Sequence, residues 1–349
     1  MADTAFPLPS RPTILITADF SEDQTARLRR VGEVNLSGWG VTGEVADVDE
    51  VLAMLQDVDI LIVGYEPITE EVIAQSKLKL IASIRGGPGA NIDLASAGRH
   101  GVPVTGTIGR EAKPVADFAF GLMLALVRHI AITSRLIYDG TLTNASSTYQ
   151  GDVGWGMRPE DPWNRFKGHE LAGKTLGLIG LGAVGREVVK RAKGFDMEVL
   201  AYDPFVRSAN DVRLCPLDEV LQQADILSIH ARLTDQSRNL ISWHEFKLMK
   251  PTAYLVNTAR AGIVERSALL QALVTSRIAG AALDVHHKEP LDPDDPFLHF
   301  DNVLLTPHIS GATVEVMQRH SELVTDNVLR FLEGRPLINV VNESFLAEH

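Results

Sequence analysis

Three residues of this chain carry chemistry that a single reaction could use. Arg260 closes the segment Asn257-Thr258-Ala259-Arg260, Glu289 lies in Leu283-Asp284-Val285-His286-His287-Lys288-Glu289-Pro290, and His308 lies in Thr306-Pro307-His308-Ile309-Ser310-Gly311. Each segment follows a short apolar run of strand character. Each is therefore expected at the carboxyl edge of a parallel sheet, where the ligands of such sheets lie. A guanidinium there can clamp a carboxylate through two parallel hydrogen bonds. An imidazole can pass a proton to a carbonyl oxygen, and a neighbouring carboxylate can orient that imidazole and favour its protonated form. The set suits reversible reduction of a 2-oxo acid. Arg260, Glu289 and His308 are the candidate catalytic residues, with Arg260 and His308 also touching substrate.

The same half of the chain offers a site for a hydride carrier. The stretch Thr175-Leu-Gly-Leu-Ile-Gly-Leu-Gly-Ala-Val-Gly-Arg186 sets Gly180, Gly182 and Gly185 as G-x-G-x-x-G, with Ala183 and Val184 inside the motif. It sits directly after a strand-like run and directly before a helix-like one. The first glycine permits the tight turn, the second lets a pyrophosphate approach the backbone, and the third lets helix and strand pack closely. The helix that opens there presents unpaired N–H groups to the phosphates. A second apolar run ends in Asp203, 18 residues beyond Gly185. A carboxylate at that place accepts the ribose hydroxyls and repels a 2′-phosphate, which favours NAD over NADP, whereas Arg207 would suit the phosphate.

Two alternating series of elements must position these residues. Strand-like runs at 13–17, 59–63 and 80–84 alternate with segments of helical spacing at 22–30, 48–55 and 70–75. A long helix is expected over 114–138, with Pro114 in its first turn. Residues 139–170 read as a polar loop excursion. A second alternation, of about six strands, starts at Lys174 and runs to 303–305, and a last helix covers 314–332. The βαβ rhythm implies parallel sheets with helices on both faces. Only the second series carries the glycine motif, so the first is expected to supply the substrate side of a cleft.

Size and composition agree with this organisation. At 349 residues the chain exceeds what one core usually holds, so two domains are expected. A net charge of −12 argues against nucleic acid or an anionic membrane as partner. The single cysteine, Cys215, excludes an intrachain disulfide and suits a reducing cytoplasm. The apolar run 118–127 is too short to span a bilayer and reads as a buried or interface helix. No metal site is expected: the adjacent His286 and His287 point in different directions, and no cysteine or acidic cluster completes a ligand set. His299 and His320 likewise lack a catalytic frame.

With those motifs in place, the chain resembles the D-isomer-specific 2-hydroxyacid dehydrogenases, the family of D-lactate, D-3-phosphoglycerate and glycerate dehydrogenases. The resemblance runs from the first strand to the tail and is strongest over 173–313. It implies that Arg260 is the substrate arginine, Glu289 the acidic partner and His308 the acid/base. It implies that Asp203 binds ribose, that Asp284 lies near the nicotinamide carboxamide, and that His230, Thr258, Ala259 and Gly311 line the cofactor site beside Arg260 and His308. In Ile84-Arg85-Gly86-Gly87-Pro88, the amides of Gly86 and Gly87 are expected to hold the substrate carboxylate. Arg85 either faces a distal anionic group or pairs at the strand end. The segment Gly109-Arg-Glu-Ala-Lys-Pro-Val-Ala-Asp117 resembles the family's hinge but carries Arg110, Lys113 and Pro114 where small neutral residues are usual.

The implied fold is α/β, with two Rossmann-like doubly wound parallel-sheet domains and a cleft between them. Residues 1–113 form a flavodoxin-like substrate-binding domain completed by 317–349, and 114–316 form the NAD-binding Rossmann domain. The implied function is NAD-dependent interconversion of a 2-oxo acid and a D-2-hydroxy acid in a homodimer built on the long apolar helix. Trp155 or Trp163 is expected near the partner's cleft. Two other readings stay open. One is an NAD-sensing, corepressor-like interaction protein. The other is a phosphite or formate dehydrogenase on the same fold, although Glu289 stands where formate dehydrogenases carry glutamine.

Overall fold

Runs such as Ile-Leu-Ile-Val and Leu-Ile-Ala-Ser offer no polar face to water, so they form strands covered on both sides. In the computed structural model, which describes residues 11–142, 159 and 161–346, these runs sit inside two compact units. One comprises Met1–Arg110 with Thr313–His349, the other Glu111–Ala312.

The first unit holds β1 (Thr13–Ile16), β2 (Glu33–Leu36), β3 (Ile60–Val63), β4 (Leu80–Ser83) and β5 (Val104–Thr105). They pair in parallel in the order β2-β1-β3-β4-β5. β3 and β4 are wholly buried, whereas β2, Glu-Val-Asn-Leu, is an exposed edge. The other edge is sealed by the C-terminal segment: Val341 N–H donates to Val104 O at 2.9 Å. The buried Asn342 accepts from Val104 N–H at 2.9 Å and donates to Val102 O at 3.0 Å. Tail residues therefore complete a sheet whose other strands lie more than 200 residues earlier.

The second unit holds β6 (Thr175–Ile179), β7 (Glu198–Tyr202), β8 (Arg213–Leu214), β9 (Ile226–Ile229), β10 (Tyr254–Asn257), β11 (Gly280–Leu283) and β12 (Val303–Leu305). Their order is β12-β11-β10-β9-β6-β7-β8, again all parallel. Strand order reverses between β6 and β9, the place where a doubly wound sheet receives a dinucleotide. One face packs on the helices Ala112–Val127 and Ala183–Gly194, through Phe120, Met123, Val188 and Ala192. The other face packs on Leu217–Gln223, Trp243–Leu248 and Arg266–Val274, through Val220, Phe246 and Leu269.

The helix expected over 114–138 is two helices, Ala112–Val127 and Ile130–Tyr138, bent by 67°. His169 N–H donates to Val127 O at 3.0 Å, removing that carbonyl from the helix ladder, and His129 turns into the left-handed region at φ +57°. A contact from 42 residues further along the chain thus ends the helix, without glycine or proline at the break. Among the described residues no single helix is long and apolar enough to cross a membrane.

Candidate active site

The glycine motif shows three different size limits. A Cβ on Gly180, which has φ +95°, would lie 2.7 Å from Ala231 N and 2.8 Å from His230 O. A Cβ on Gly185 would lie 2.3 Å from Gly180 O. One on Gly182 would meet nothing within 4 Å. The protein itself therefore demands the first and third glycines, and the second borders open space at the N-terminus of the helix Ala183–Gly194. Among the described residues no side chain caps that end, so its first N–H groups, those of Ala183, Val184 and Gly185 among them, are open to an anion. Asp203 stands at the end of β7, accepting from Leu181 N–H at 2.8 Å and Phe205 N–H at 2.9 Å. It pins the turn while keeping further lone pairs for a ribose. His230 follows β9, its Nε2 lying 2.8 Å from Ser228 Oγ, and burial pushes the imidazole down to about 4, so it is neutral at neutral pH. Thr258 Oγ1 is buried with no hydrogen-bond partner among the described residues. A cradle that a methyl group would fill, an uncapped helix end and a carboxylate at the ribose place together fit a dinucleotide.

Three loops follow β10, β11 and β12. Asn257 stands opposite Leu283 in register, and Leu283 opposite Leu305, so the next residues of each strand emerge side by side. Asn257 shapes the first loop, accepting from Ala259 N–H and donating to Arg260 O, both at 3.0 Å. Among the described residues the guanidinium of the exposed Arg260 bonds only its neighbour's carbonyl, Ala259 O at 2.7 Å, so most of its donor fork is available. His308 Nδ1 lies 2.8 Å from Glu289 Oε2. Since the carboxylate can only accept, Nδ1–H donates and Nε2 is left for a ligand. Burial raises the Glu289 carboxyl, but the bonds from His308 and from His286 N–H outweigh it and hold it below the ordinary carboxylate range. The His308 and Glu289 side chains are 43% and 38% exposed, so a small molecule can reach the pair. Asp284 has no exposed surface: its carboxylate accepts from Thr306, Ile309 and Ser310. Gly311 packs against Glu111, whose Cδ would lie 3.2 Å from a Cβ.

The sequence reading passed over His286, which bridges two of these loops. Its N–H donates to Glu289 Oε1 at 2.9 Å and its Nε2–H to Thr306 O at 2.8 Å. Its unpromising neighbour His287 hid it. Among the described residues no group of three or more His, Cys, Asp or Glu could hold a metal ion.

Arg85, Gly86 and Gly87 lie in the other unit, after β4. The Arg85 guanidinium rests 5.1 Å from the Tyr65 ring centre and 3.5 Å from Asn91 Oδ1. It has no ion pair among the described residues, so the pairing at the strand end does not form. Gly86 and Gly87 are exposed. In the same unit the wholly buried Glu66 accepts from Thr17 Oγ1 and Trp39 N–H at 2.8 Å and from Tyr65 N–H at 3.2 Å. It ties together the chain segments that follow β1, β2 and β3. Trp163 is 55% exposed on the short helix Pro162–Arg165; Trp155 lies outside the described residues.

Comparison with known proteins gives one consistent picture. Residues 120–310 match the family profile described as "D-isomer specific 2-hydroxyacid dehydrogenase, NAD binding domain". The chain is 33% identical over 345 residues to a glyoxylate reductase of Korarchaeum cryptofilum, covering 95% of this chain and 96% of that one. It is 37% identical to a hydroxypyruvate reductase of Thermotoga maritima, covering 80% and 86%. A solved NADPH-dependent glyoxylate/hydroxypyruvate reductase of Sinorhizobium meliloti, in complex with NADP and malonate, superposes with a TM-score of 0.73. Its identity is 26% over 95% of this chain and 97% of that one.

The glycine geometry makes a separable prediction. Gly182→Ala should leave the thermal unfolding midpoint unchanged and weaken NADH binding at least about tenfold, because its methyl enters only the ligand's space. Gly185→Ala should cost about 1–3 kcal/mol of stability through overpacking against Gly180 O. Thermal unfolding and NADH fluorescence titration check both. Wild-type NADH affinity in Gly182→Ala would show that the phosphates bind elsewhere.

Proposed function

The chain belongs to the D-isomer-specific 2-hydroxyacid dehydrogenase family, and from that premise we propose Arg260, Glu289 and His308 as the residues that carry its chemistry. It is an oxidoreductase of 2-hydroxy acids with a nicotinamide-binding domain. The observation that carries the assignment of roles is the 2.8 Å contact between His308 Nδ1 and Glu289, which leaves Nε2 for a ligand. When bound, the nicotinamide supplies hydride to the carbonyl carbon of a 2-oxo acid or takes it back from the 2-hydroxy acid. Arg260 holds the substrate carboxylate in its fork. His308 Nε2–H delivers the proton to the carbonyl oxygen, and in oxidation Nε2 receives it from the hydroxyl. Glu289 stays charged below neutral pH, fixes the ring through Nδ1–H and stabilises the imidazolium.

The cofactor contacts belong to Gly180, Gly182, Ala183, Val184, Gly185, Asp203, His230, Thr258, Ala259, Asp284 and Gly311, beside Arg260 and His308. Gly86 and Gly87 offer amides to the substrate carboxylate, and Arg85 offers a cation to a substrate's distal anionic group. Small 2-oxo acids of the glyoxylate and hydroxypyruvate class are the first substrates to try, in a cytoplasmic enzyme. An NAD-sensing interaction protein and a phosphite or formate dehydrogenase are not favoured, since the named relatives are reductases and dehydrogenases of 2-hydroxy acids. A panel of 2-oxo acids with NADH, followed by absorbance, tests the activity; no turnover of any member would refute it.

Replacing His308 by Asn should lower kcat on the order of 10²–10⁴ while NADH binding persists. Glu289→Gln should move the pH limit of reduction to lower pH, because reduction needs the imidazolium and that form loses its anionic partner. Near-normal turnover in His308→Asn would dismiss it as the acid.

Asp203 is proposed to set a preference for NAD, although a relative holds NADP. Asp203→Ser should erode the ratio of kcat/KM for NADH over NADPH by at least about tenfold. A wild-type enzyme that prefers NADPH would transfer the decision to Arg207.

We further propose a homodimer. The helix Ile130–Tyr138 has no buried residue, and Ile130, Ile137 and Tyr138 are 53%, 51% and 88% exposed. An apolar surface of that extent asks for cover, which a second copy supplies most simply. Trp163, exposed nearby in sequence, is the described candidate for a residue lent to the partner. Sedimentation at low micromolar concentration should give a dimer; an active monomer of 38.1 kDa would refute it.

A further inference from the structure

Two histidines and two acceptors form a closed ring of hydrogen bonds at the edge of the larger sheet. The Glu289 carboxylate accepts from His286 N–H at Oε1, 2.9 Å, and from His308 Nδ1–H at Oε2, 2.8 Å. The Thr306 carbonyl accepts from His286 Nε2–H at 2.8 Å and from His308 N–H at 3.0 Å. Each histidine thus gives one backbone and one side-chain hydrogen, in opposite order. The two halves of the ring come from different loops, His286 and Glu289 after β11, Thr306 and His308 after β12. Thr306 N–H donates to Leu283 O at 3.0 Å, which anchors the shared carbonyl to the sheet. His308 enters the ring with φ +55°, a left-handed backbone uncommon for any residue but glycine.

The terminal torsion of a glutamate is broad, so a carboxylate held at one oxygen swings. Here both oxygens are held, and the plane that meets the His308 imidazole is fixed. The anchor at Oε1 is a backbone N–H, only as steady as the peptide that carries it. That peptide is held in turn by its own side chain, because the His286 imidazole reaches Thr306 O at 2.8 Å. We propose that His286 is a positioning residue: by bonding Thr306 O it closes the ring that sets the Glu289 carboxylate against His308 Nδ1. It acts on the reaction through Glu289 and touches no reacting atom. The inference rests on the reading of His308 as the acid/base, and its test separates the two.

His286→Phe keeps a ring of similar size but cannot donate to Thr306 O, whereas His286→Gln keeps a donor of nearly the same reach. His286→Phe should lower kcat for 2-oxo acid reduction about tenfold, with the substrate KM within about threefold of wild type because Arg260 is untouched. Its upper pH limit should fall, since a loosened Glu289 favours the His308 imidazolium less. His286→Gln should hold kcat within about threefold of wild type and keep the pH limit. Combined with His308→Asn, His286→Phe should slow the enzyme no further, because the two act as one unit. A readout apart from turnover is nitrogen NMR of labelled histidine. Neutral His308 should be the Nδ1–H tautomer in wild type and in His286→Gln, and the other tautomer should gain in His286→Phe. Unchanged kcat in His286→Phe, equal loss in the Phe and Gln variants, further loss in the double variant, or an unchanged tautomer would each overturn the proposal. Should His286→Phe fail to fold, His286→Asn, whose shorter amide stops short of Thr306 O, takes its place with the same expectations. Were His308→Asn to keep full turnover, the functional reading would fall, and the tautomer of His308 would still judge the role of His286.

Discussion

In-register pairing of β10, β11 and β12 is the constraint from which the candidate site follows. Glu289 and His308, far apart in sequence, meet, and the loop carrying Arg260 leaves the same sheet edge, because Asn257, Leu283 and Leu305 stand abreast at the ends of their strands. A slip of one residue would turn every side chain of a strand to the opposite face. Packing forbids it. Tyr254, Val256, Ala282 and Leu304 point into one core, and Leu255, Ala281, Leu283 and Leu305 point into the other. Because both faces are buried, the register carries the weight of two hydrophobic cores, and the positions of the loops are inherited from it.

Loops are ordinarily the mobile part of such a fold, and each unit restrains its loops with a buried carboxylate. Glu66 and Asp284 are both 0% exposed, and each accepts one threonine hydroxyl and two backbone N–H groups. A charge withdrawn from water is costly unless it is fully hydrogen-bonded, and hydrogen bonds to an ionised group are stronger than neutral ones. The donors in both cases belong to loop segments at the carboxyl edge of a sheet. Free energy of solvation is thus exchanged for fixed geometry at the two edges that present Tyr65 and Arg85 in one unit and His308 in the other.

Within each unit, local groups oppose the charge of the whole molecule. The chain carries a net charge of −12, yet the proposed cofactor and substrates are anions. Local features supply the attraction: the uncapped helix end after Gly182, and two guanidinium groups, Arg85 and Arg260, that have no carboxylate partner among the described residues. Short-range, directional donors outweigh a diffuse field that salt screens within about 8 Å at physiological ionic strength.

The two-unit α/β fold was legible in the residues because its signals are local. A strand buried on both faces must be apolar throughout, and a turn at φ +95° wedged against His230 must be glycine, so both requirements are written at the positions where they act. Residue types able to clamp, orient and protonate were visible for the same reason. Features that depend on distant partners were not. The edge strands β2 and β8 carry polar residues because water covers one side, and their pairing comes from β1 and β7. The break at His129 coincides with His169 taking the Val127 carbonyl, and the bonds on either side of the left-handed His308 come from Asp284, 24 residues earlier in the chain. In each instance the bonded groups lie on different elements. The chain had to fold before a carboxylate in one loop could bond the backbone of another.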